Sequence, residues 1–399
     1  MSNKAKDAPK QPPIKPATRF VTGGRDPFSY HGFVNPPVYH ASTVLYRTAQ
    51  DYLAHRGRYT YGRRGTPTSD ALGEALAELE GPECAGVALL PSGLAAASAA
   101  LLAALRAGDH VLVTDTVYWP TRKFCDDVLT RYGITTTYYD PLIGGGITEL
   151  MQPNTRAVYL ESPGSLSFEV QDVPAIASAA HARGALVLMD NTWASPLYFR
   201  ALEKGVDLAI QSATKYIGGH SDLLLGVVSA NAAAWPQLND TVFTMGLWTG
   251  PDDMSLALRG LHTMGVRLKQ HYEAGLVIAR WLEQRPEVAR VWHPALPSHP
   301  QHALWKRDFT GACGLFAVAL KPVADAAVHA LINELTLFGI GASWGGYESL
   351  AIPFDCSEMR TATSWAPGGP TVRFHIGLED VDDLIADLER GFAALGRAR

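Results

Sequence analysis

The sequence predicts a two-domain α/β protein: a large domain on a mainly parallel central sheet, followed by a smaller α+β domain. Three observations carry this reading. From about residue 85, short apolar runs alternate with strong helix formers, which is the punctuation of strand–helix–strand units. Four of those runs end in polar or glycine residues, so that one edge of the sheet collects PSG at 91–93, ESPGS at 161–165, DNTW at 190–193 and SATK at 212–215. After about residue 255 the composition shifts, and two strand-like segments precede a strongly amphipathic terminal helix.

Taken in order, AGVALL is a first strand, PSG breaks it, and LAAASAALLAALR is a helix built of good helix formers. GDHVLVTD then closes that helix and opens another strand. The rhythm returns in TRAVYLESPG, in PAIASAAHARGALVLMDNTW and in VDLAIQSATK. Repeated units of this kind pack as a parallel sheet with helices on both faces, and ligands bind beyond the carboxyl ends of the strands. In the second unit GLFAVAL and TVRFHIGLE are the strands, and Val381, Leu384, Ile385, Leu388, Phe392 and Leu395 share one helix face. Residues 17–62, rich in Tyr, Pro and Gly, form an arm with too little periodicity for a core of its own, as expected of a segment laid on a neighbouring subunit. The Lys/Pro-rich start, residues 1–16, reads as a disordered tail; residues 63–255 form the large domain and 256–399 the small one.

Composition excludes several classes. With 399 residues, 47% hydrophobic and 18% charged, the chain is an ordinary folded protein large enough for a full core. A formal charge of −5 gives no general attraction for nucleic acid, and no apolar run is long enough to cross a bilayer. The four cysteines, Cys84, Cys125, Cys313 and Cys356, form no CxxC pair, which fits a reducing cytoplasm. His293, His299 and His302 match no metal-ligand spacing and read as loop histidines; no metal is expected. GGG at 144–146 lacks the Lys-Ser/Thr of a phosphate loop and reads as a turn.

The segment SATKYIGGHSDLLLG ends an apolar strand on hydroxyls and a lysine. Taken alone, Lys215 reads more commonly as a solvated strand-end charge. Out of water its pKa would fall, and the free amine could condense with an aldehyde such as that of pyridoxal phosphate. Its neighbours suit that chemistry. Asp190 could hold a protonated pyridine nitrogen, although Asp at a turn is equally common. Gly93 and Leu94 open a long helix whose free N–H groups favour a phosphate, with Ser212 and Thr214 adding hydroxyls. Tyr118 could cover the ring, or be a half-buried loop tyrosine. Arg373, within an apolar strand, needs a carboxylate: a substrate's, or a structural ion pair's.

In combination, YGRRGTPT at 61–68, PSG, DNTW, SATKYIGGHSD, SWGGYESL at 343–350 and RFHIGLED at 373–380 resemble the Cys/Met-metabolism family of pyridoxal-phosphate enzymes, of the aspartate-aminotransferase-like fold, fold type I. The resemblance runs from about residue 18 to the end. It implies that Lys215 carries the cofactor and acts in catalysis, that Asp190 partners the ring nitrogen, and that Tyr118 stacks on the ring and takes part in catalysis. It also implies that Gly93, Leu94, Ser212 and Thr214 hold the phosphate, with Tyr61 and Arg63 reaching that of the neighbouring subunit. Arg373, Ser343 and Trp344, with Tyr118, would bind the substrate. The wording ESPGSLSFEV, where γ-acting members commonly have ESPTNP, together with HSDLLLG and SWGGYESL, implies β-elimination from L-cystathionine in a homotetramer with shared sites. Motifs common to the family leave open γ-elimination, desulfhydration, racemisation, or a regulatory protein that keeps the cofactor without turnover.

Overall fold

The computed structural model describes residues 14–398. The tail expected over 1–16 lies outside these except at its end, where Pro16 already opens the helix Pro16–Thr22. The large sheet has seven strands: β1 Gly86–Leu90, β2 His110–Thr114, β3 Thr135–Tyr139, β4 Thr155–Glu161, β5 Leu186–Asp190, β6 Leu208–Ser212 and β7 Gly226–Ala230. Their order across the sheet is β1-β7-β6-β5-β4-β2-β3. The sheet is mainly parallel, as the strand–helix rhythm predicted, with one exception. β7 runs antiparallel to both β1 and β6. It folds straight back from β6, pairing Gly226 with Ser212, so the chain between them, which contains Lys215, is held at both ends.

Strand order reverses direction between β2 and β4. From β2 the chain steps outward to β3, returns to β4, and then proceeds through β5 and β6 toward the opposite edge. At such a point the connections leave to opposite sides and open a crevice at the carboxyl ends. β2 is buried along its whole length, and its two polar side chains are both satisfied there: His110 bonds Thr155 Oγ1 and Thr137 Oγ1 at 2.8 and 2.9 Å, and Thr114 Oγ1 accepts from Gln171 Nε2 at 2.9 Å.

The second sheet comprises β8 Val288–Trp292, β9 Leu315–Leu320, β10 Leu350–Phe354 and β11 Thr371–His375, all antiparallel, in the order β10-β11-β9-β8. The helix Val381–Arg397 covers it with the expected face: Leu384, Leu388, Phe392 and Leu395 are buried, and Val381 and Ile385 pack beside them. One long helix, Pro251–Glu283, serves both cores. Met254, Leu258, Leu261 and Leu268 pack with the large sheet, while Ala274, Ile278 and Leu282 pack with the small one.

Three local features depart from the sequence reading. Within the arm, the short helix Pro16–Thr22 buries Phe20 against the long helix of its own chain, where His262 Nδ1 lies 2.7 Å from the Phe20 carbonyl. Two turns are too few for a periodic signal. GGG opens a 3-10 helix, Gly144–Glu149. His293 and His299 lie in a loop, buried, and each accepts a local backbone N–H at 3.2 Å, whereas His302 opens the helix His302–Asp308; no metal-binding cluster occurs among the described residues.

Glu80, the last residue of the helix Pro67–Glu80, is fully buried beneath the sheet, where Gln211 Nε2 donates to its Oε1 at 2.9 Å. Burial raises its pKa to about 8. Because the folded state therefore binds a proton that the unfolded chain releases, stability contributed here is present below the unfolded carboxylate pKa and is lost as pH rises toward 8. Glu80→Gln keeps the bond to Gln211 without the ionisation. The variant is expected to match wild type in thermal unfolding near pH 5 and to exceed it at pH 8.5; equal midpoints at both pH values would show that Glu80 is not titrating in the fold.

Candidate active site

A cavity of about 550 Å³ lies beyond the carboxyl ends of the large sheet, closed on one side by the small sheet's β10 and β11. All four polar strand ends reach it: Ser92 and Gly93, Glu161 with Pro163, Gly164 and Ser165, Asp190 with Thr192 and Trp193, and Ser212 with Thr214 and Lys215. Tyr118, Leu94, Trp344 and Arg373 also line it. Ser343 meets it through a side chain, its Oγ lying 2.7 Å from Lys215 Nζ. Tyr61 and Arg63 do not line the cavity of their own chain; the Arg63 guanidinium lies over the Phe243 ring, 4.2 Å from its centroid.

Lys215 follows β6 in a tight turn. Its N–H donates to the Ser212 carbonyl at 3.1 Å, Leu225 donates to Thr214 Oγ1 at 3.1 Å, and Gly219 N–H returns to the Lys215 carbonyl at 2.7 Å. The long helix supports the turn from behind, Arg267 Nη1 donating to the Tyr216 carbonyl at 2.9 Å. The Lys215 amine is half-buried, 5.3 Å from the centre of the Trp344 ring. Burial, and then the charge of Arg373, lower its pKa to about 8 against the opposing charge of Asp190. A larger fraction of the amine is thus unprotonated near neutrality than for an ordinary lysine.

Asp190 and Glu161 end neighbouring strands in register, so their carboxyl groups sit side by side at the crevice. Burial raises both pKa values, Asp190's against the Thr192 N–H at 2.9 Å, and Glu161's further because of Asp190. Such a pair favours a cation placed against it. Glu161 Oε2 accepts the Tyr118 N–H at 2.7 Å, bridging the crevice between β4 and the segment after β2. Burial, then the charges of Glu161 and Asp190, raise the Tyr118 pKa, keeping its phenol protonated.

The opposite wall is a cradle at the start of a helix. Ser92 caps the helix Gly93–Ala104 by accepting the Ala95 N–H at 3.1 Å, leaving the N–H groups of the first turn facing the cavity. Two glycines allow this close approach: a Cβ on Gly93 would fall 2.6 Å from the Ser212 side chain, and one on Gly226 would fall 2.0 Å from the Ser92 carbonyl oxygen. Across the cavity Arg373 is buried and meets no carboxylate; its Nη2 donates to the carbonyls of Gly341, Ala342 and Ser343 at 2.9–3.2 Å, and its Nε has no partner. The ion-pair alternative for this arginine is thus replaced by a guanidinium bonded only to neutral groups.

The sequence reading did not assign Glu161 a role, although its place at the end of β4 opposite Asp190 was available from the strand ends. It also missed the outer wall. There Asp115 accepts N–H bonds from Thr361 and Thr363 at 2.9 and 2.8 Å and pairs with buried Arg122 at 2.6 Å, fixing the segment that contributes Cys356, Met359 and Arg360. These residues are far apart in sequence and carry no motif.

The fold and this lysine–carboxylate–cradle arrangement define a pyridoxal-phosphate enzyme of fold type I. The sequence pattern of the Cys/Met metabolism PLP-dependent enzymes matches residues 17–393, and the chain belongs to that family. It is 47% identical over 390 residues to a cystathionine beta-lyase of Salmonella typhimurium, covering 95% of this chain and 98% of the relative. It is also 40% identical to an L-alanine/L-glutamate racemase of Wolbachia pipientis wMel, covering 96% and 98%. The crystal structure of metB from Corynebacterium glutamicum superposes with a TM-score of 0.87 at 30% identity, covering 95% of this chain and 98% of that one.

In the cofactor-free protein, acylation of Lys215 followed against pH should show a midpoint near 8. Removing the Arg373 charge with Arg373→Leu should raise that midpoint, and Asp190→Asn should lower it. A midpoint near that of an ordinary lysine, unmoved by either change, would mean that the amine is solvated.

Proposed function

We propose that the protein is a β-lyase that cleaves L-cystathionine, with water, to homocysteine, pyruvate and ammonia. The observation that carries this reading is the half-buried Lys215 amine, its pKa lowered, in one cavity with Asp190 and the buried, carboxylate-free Arg373, and the similarity to the Salmonella lyase supports it. Pyridoxal phosphate supplies an aldehyde for the substrate's amine and a protonated ring that takes up charge from the α-carbon.

The chain's own residues supply the rest. Lys215 Nζ binds the cofactor and then, as the free base, removes the α-proton. Asp190 keeps the ring nitrogen protonated. The N–H groups of Gly93 and Leu94, with the Ser212 and Thr214 hydroxyls, hold the phosphate. Arg373 turns from its loop carbonyls to the substrate carboxylate, beside Ser343 and Trp344. Tyr118 covers the ring, and its protonated Oη or the Lys215 ammonium donates to the departing sulfur.

Tyr61 and Arg63 serve the phosphate of a neighbouring subunit in a homotetramer. Their absence from their own cavity supports this, as do the arm's exposed apolar side chains, Phe28 at 92%, Leu45 at 89% and Leu53 at 76% exposure. Free cysteines and the absence, among the described residues, of any helix long and apolar enough to cross a membrane support a cytoplasmic setting.

Incubation with L-cystathionine should release homocysteine and pyruvate, and Lys215→Ala should abolish both products and the absorbance band of the lysine-linked cofactor. Cysteine with 2-oxobutyrate would instead mark a γ-lyase, and no thiol product would move the reading to another reaction. Mixed oligomers of Arg63→Ala and Lys215→Ala chains should recover part of the activity that each has lost; no recovery in verified mixtures would mean that the arm serves its own chain.

A further inference from the structure

Arg373 and His375 lie two residues apart on β11 and so leave the same face of the strand. Both side chains reach one loop. Arg373 Nη2 donates to its carbonyls at 341–343, while His375 Nε2 accepts the Gly345 N–H at 3.1 Å and lies 3.1 Å from the Gly346 carbonyl. That loop carries Ser343 and Trp344 to the Lys215 amine. It also backs Gly345, with φ at +89°, onto the lysine, where a Cβ would stand 2.9 Å from the Lys215 Cα. The loop therefore has little room to slide without disturbing Lys215.

His375 is fully buried among His271, Tyr216 and the strand, with ring centroids 5.3 and 5.9 Å away. Burial, and then the neighbouring His271, hold its pKa well below the usual imidazole value and keep it neutral. One neutral nitrogen cannot accept from Gly345 and donate to Gly346 at once; the bond from Gly345 requires the proton on Nδ1, which is buried without a partner.

We propose that His375 is a positioning residue, holding the 343–346 loop in register while Arg373 exchanges loop carbonyls for the substrate carboxylate. The inference rests on the reading of Arg373 given under Proposed function. When the guanidinium turns to the substrate, its three carbonyl contacts weaken together, because one nitrogen serves all of them. The bond from His375 then remains as the hold of β11 on the loop. Farther along, Ser349 is tied to Glu379, through its N–H at 2.7 Å and its hydroxyl at 2.8 Å, which fixes the loop's far end but not the part against Lys215.

The test uses the full-length, cofactor-loaded protein with His375→Leu, His375→Gln and His375→Asn. Alongside KM and kcat for L-cystathionine, the dissociation constant of L-alanine, which has the same carboxylate and no sulfur to expel, is read from the cofactor's absorbance. Leu should raise both KM and the alanine constant about tenfold, the scale of one hydrogen bond, with a much smaller change in kcat. Gln, whose amide oxygen reaches as far as Nε2, should restore both constants, whereas the shorter Asn should not. The pH profile of kcat/KM should keep its shape in the Gln variant.

Unchanged constants in the Leu variant would overturn the proposal. So would equal impairment of Gln and Asn together with lowered thermal stability, which would make His375 a space-filling residue, or a shifted pH profile in the Gln variant, which would make it a proton carrier. If the Leu variant does not fold, the comparison of Gln with Asn decides alone. A wild type that binds L-alanine but leaves L-cystathionine intact would sink the lyase reading and leave the role of His375 to be judged from the alanine constants.

Discussion

The site depends on one amine kept partly out of water and bonded to a neutral hydroxyl. An ammonium in that position is disfavoured by burial and by Arg373, and Asp190 only partly offsets this. The backbone geometry that places it there is an antiparallel return in an otherwise parallel sheet. A parallel connection would have carried the chain from β6 away over a helix; β7 instead folds back at once, and the turn between them is held by Thr214 and Leu225 on one side and by Arg267 on the other. Glycine is required wherever another backbone must come close to this turn. A Cβ on Gly260 of the long helix would meet the Gly218 carbonyl oxygen at 2.2 Å, and Gly345 meets Lys215 from the small domain. The lysine is thus enclosed by both domains.

The second constraint is the reversal of strand order between β2 and β4. It opens the crevice in which Tyr118, Glu161 and Asp190 meet, and the Glu161 to Tyr118 N–H bond spans it. The neighbouring carboxyl groups on β4 and β5 would repel each other if both were charged, so they create a demand for a cation at the crevice mouth. A protonated pyridine nitrogen would meet that demand, and the cradle at Gly93, on the far side of Ser212, would offer an anion site to the other end of the same molecule.

Much of this was legible in the sequence because it is local. Apolar runs punctuated by PSG, DNTW and SATK mark strand ends directly, and the final helix showed its buried face through spacing alone. What could not be read was either short or remote. β7 is a five-residue strand, GVVSA, preceded by no helix, and nothing in its composition announces an antiparallel return. Phe20 is buried by a single short helix whose partner lies more than two hundred residues away. The staple of Asp115 to Thr361 and Thr363 joins segments with no shared pattern. His375 sat in a quoted motif, but its meaning depends on where the 343–346 loop runs, which only the tertiary fold determines.

The remote features are also those best suited to select a reaction. On the proposed roles, removal of the α-proton by Lys215, with Asp190 and Arg373 in place, would be a first step common to racemisation and β-elimination, so these residues would not distinguish the two. The distinction has to lie where the substrate extends beyond its carboxylate and amine. That space is walled by Leu166 and Phe168, both at positive φ, and by Cys356, Met359 and Arg360. The wall is rigid: Asp115 holds one part of it, and buried Arg360 binds Ser167 and, at 2.9 Å, Glu169. A rigid, largely apolar chamber suits a substrate that carries a thioether and leaves a small amino acid with much of the cavity unfilled. The segment ESPGSLSFEV, singled out in the sequence for its wording, is the same segment that builds part of this wall through Leu166 and Phe168.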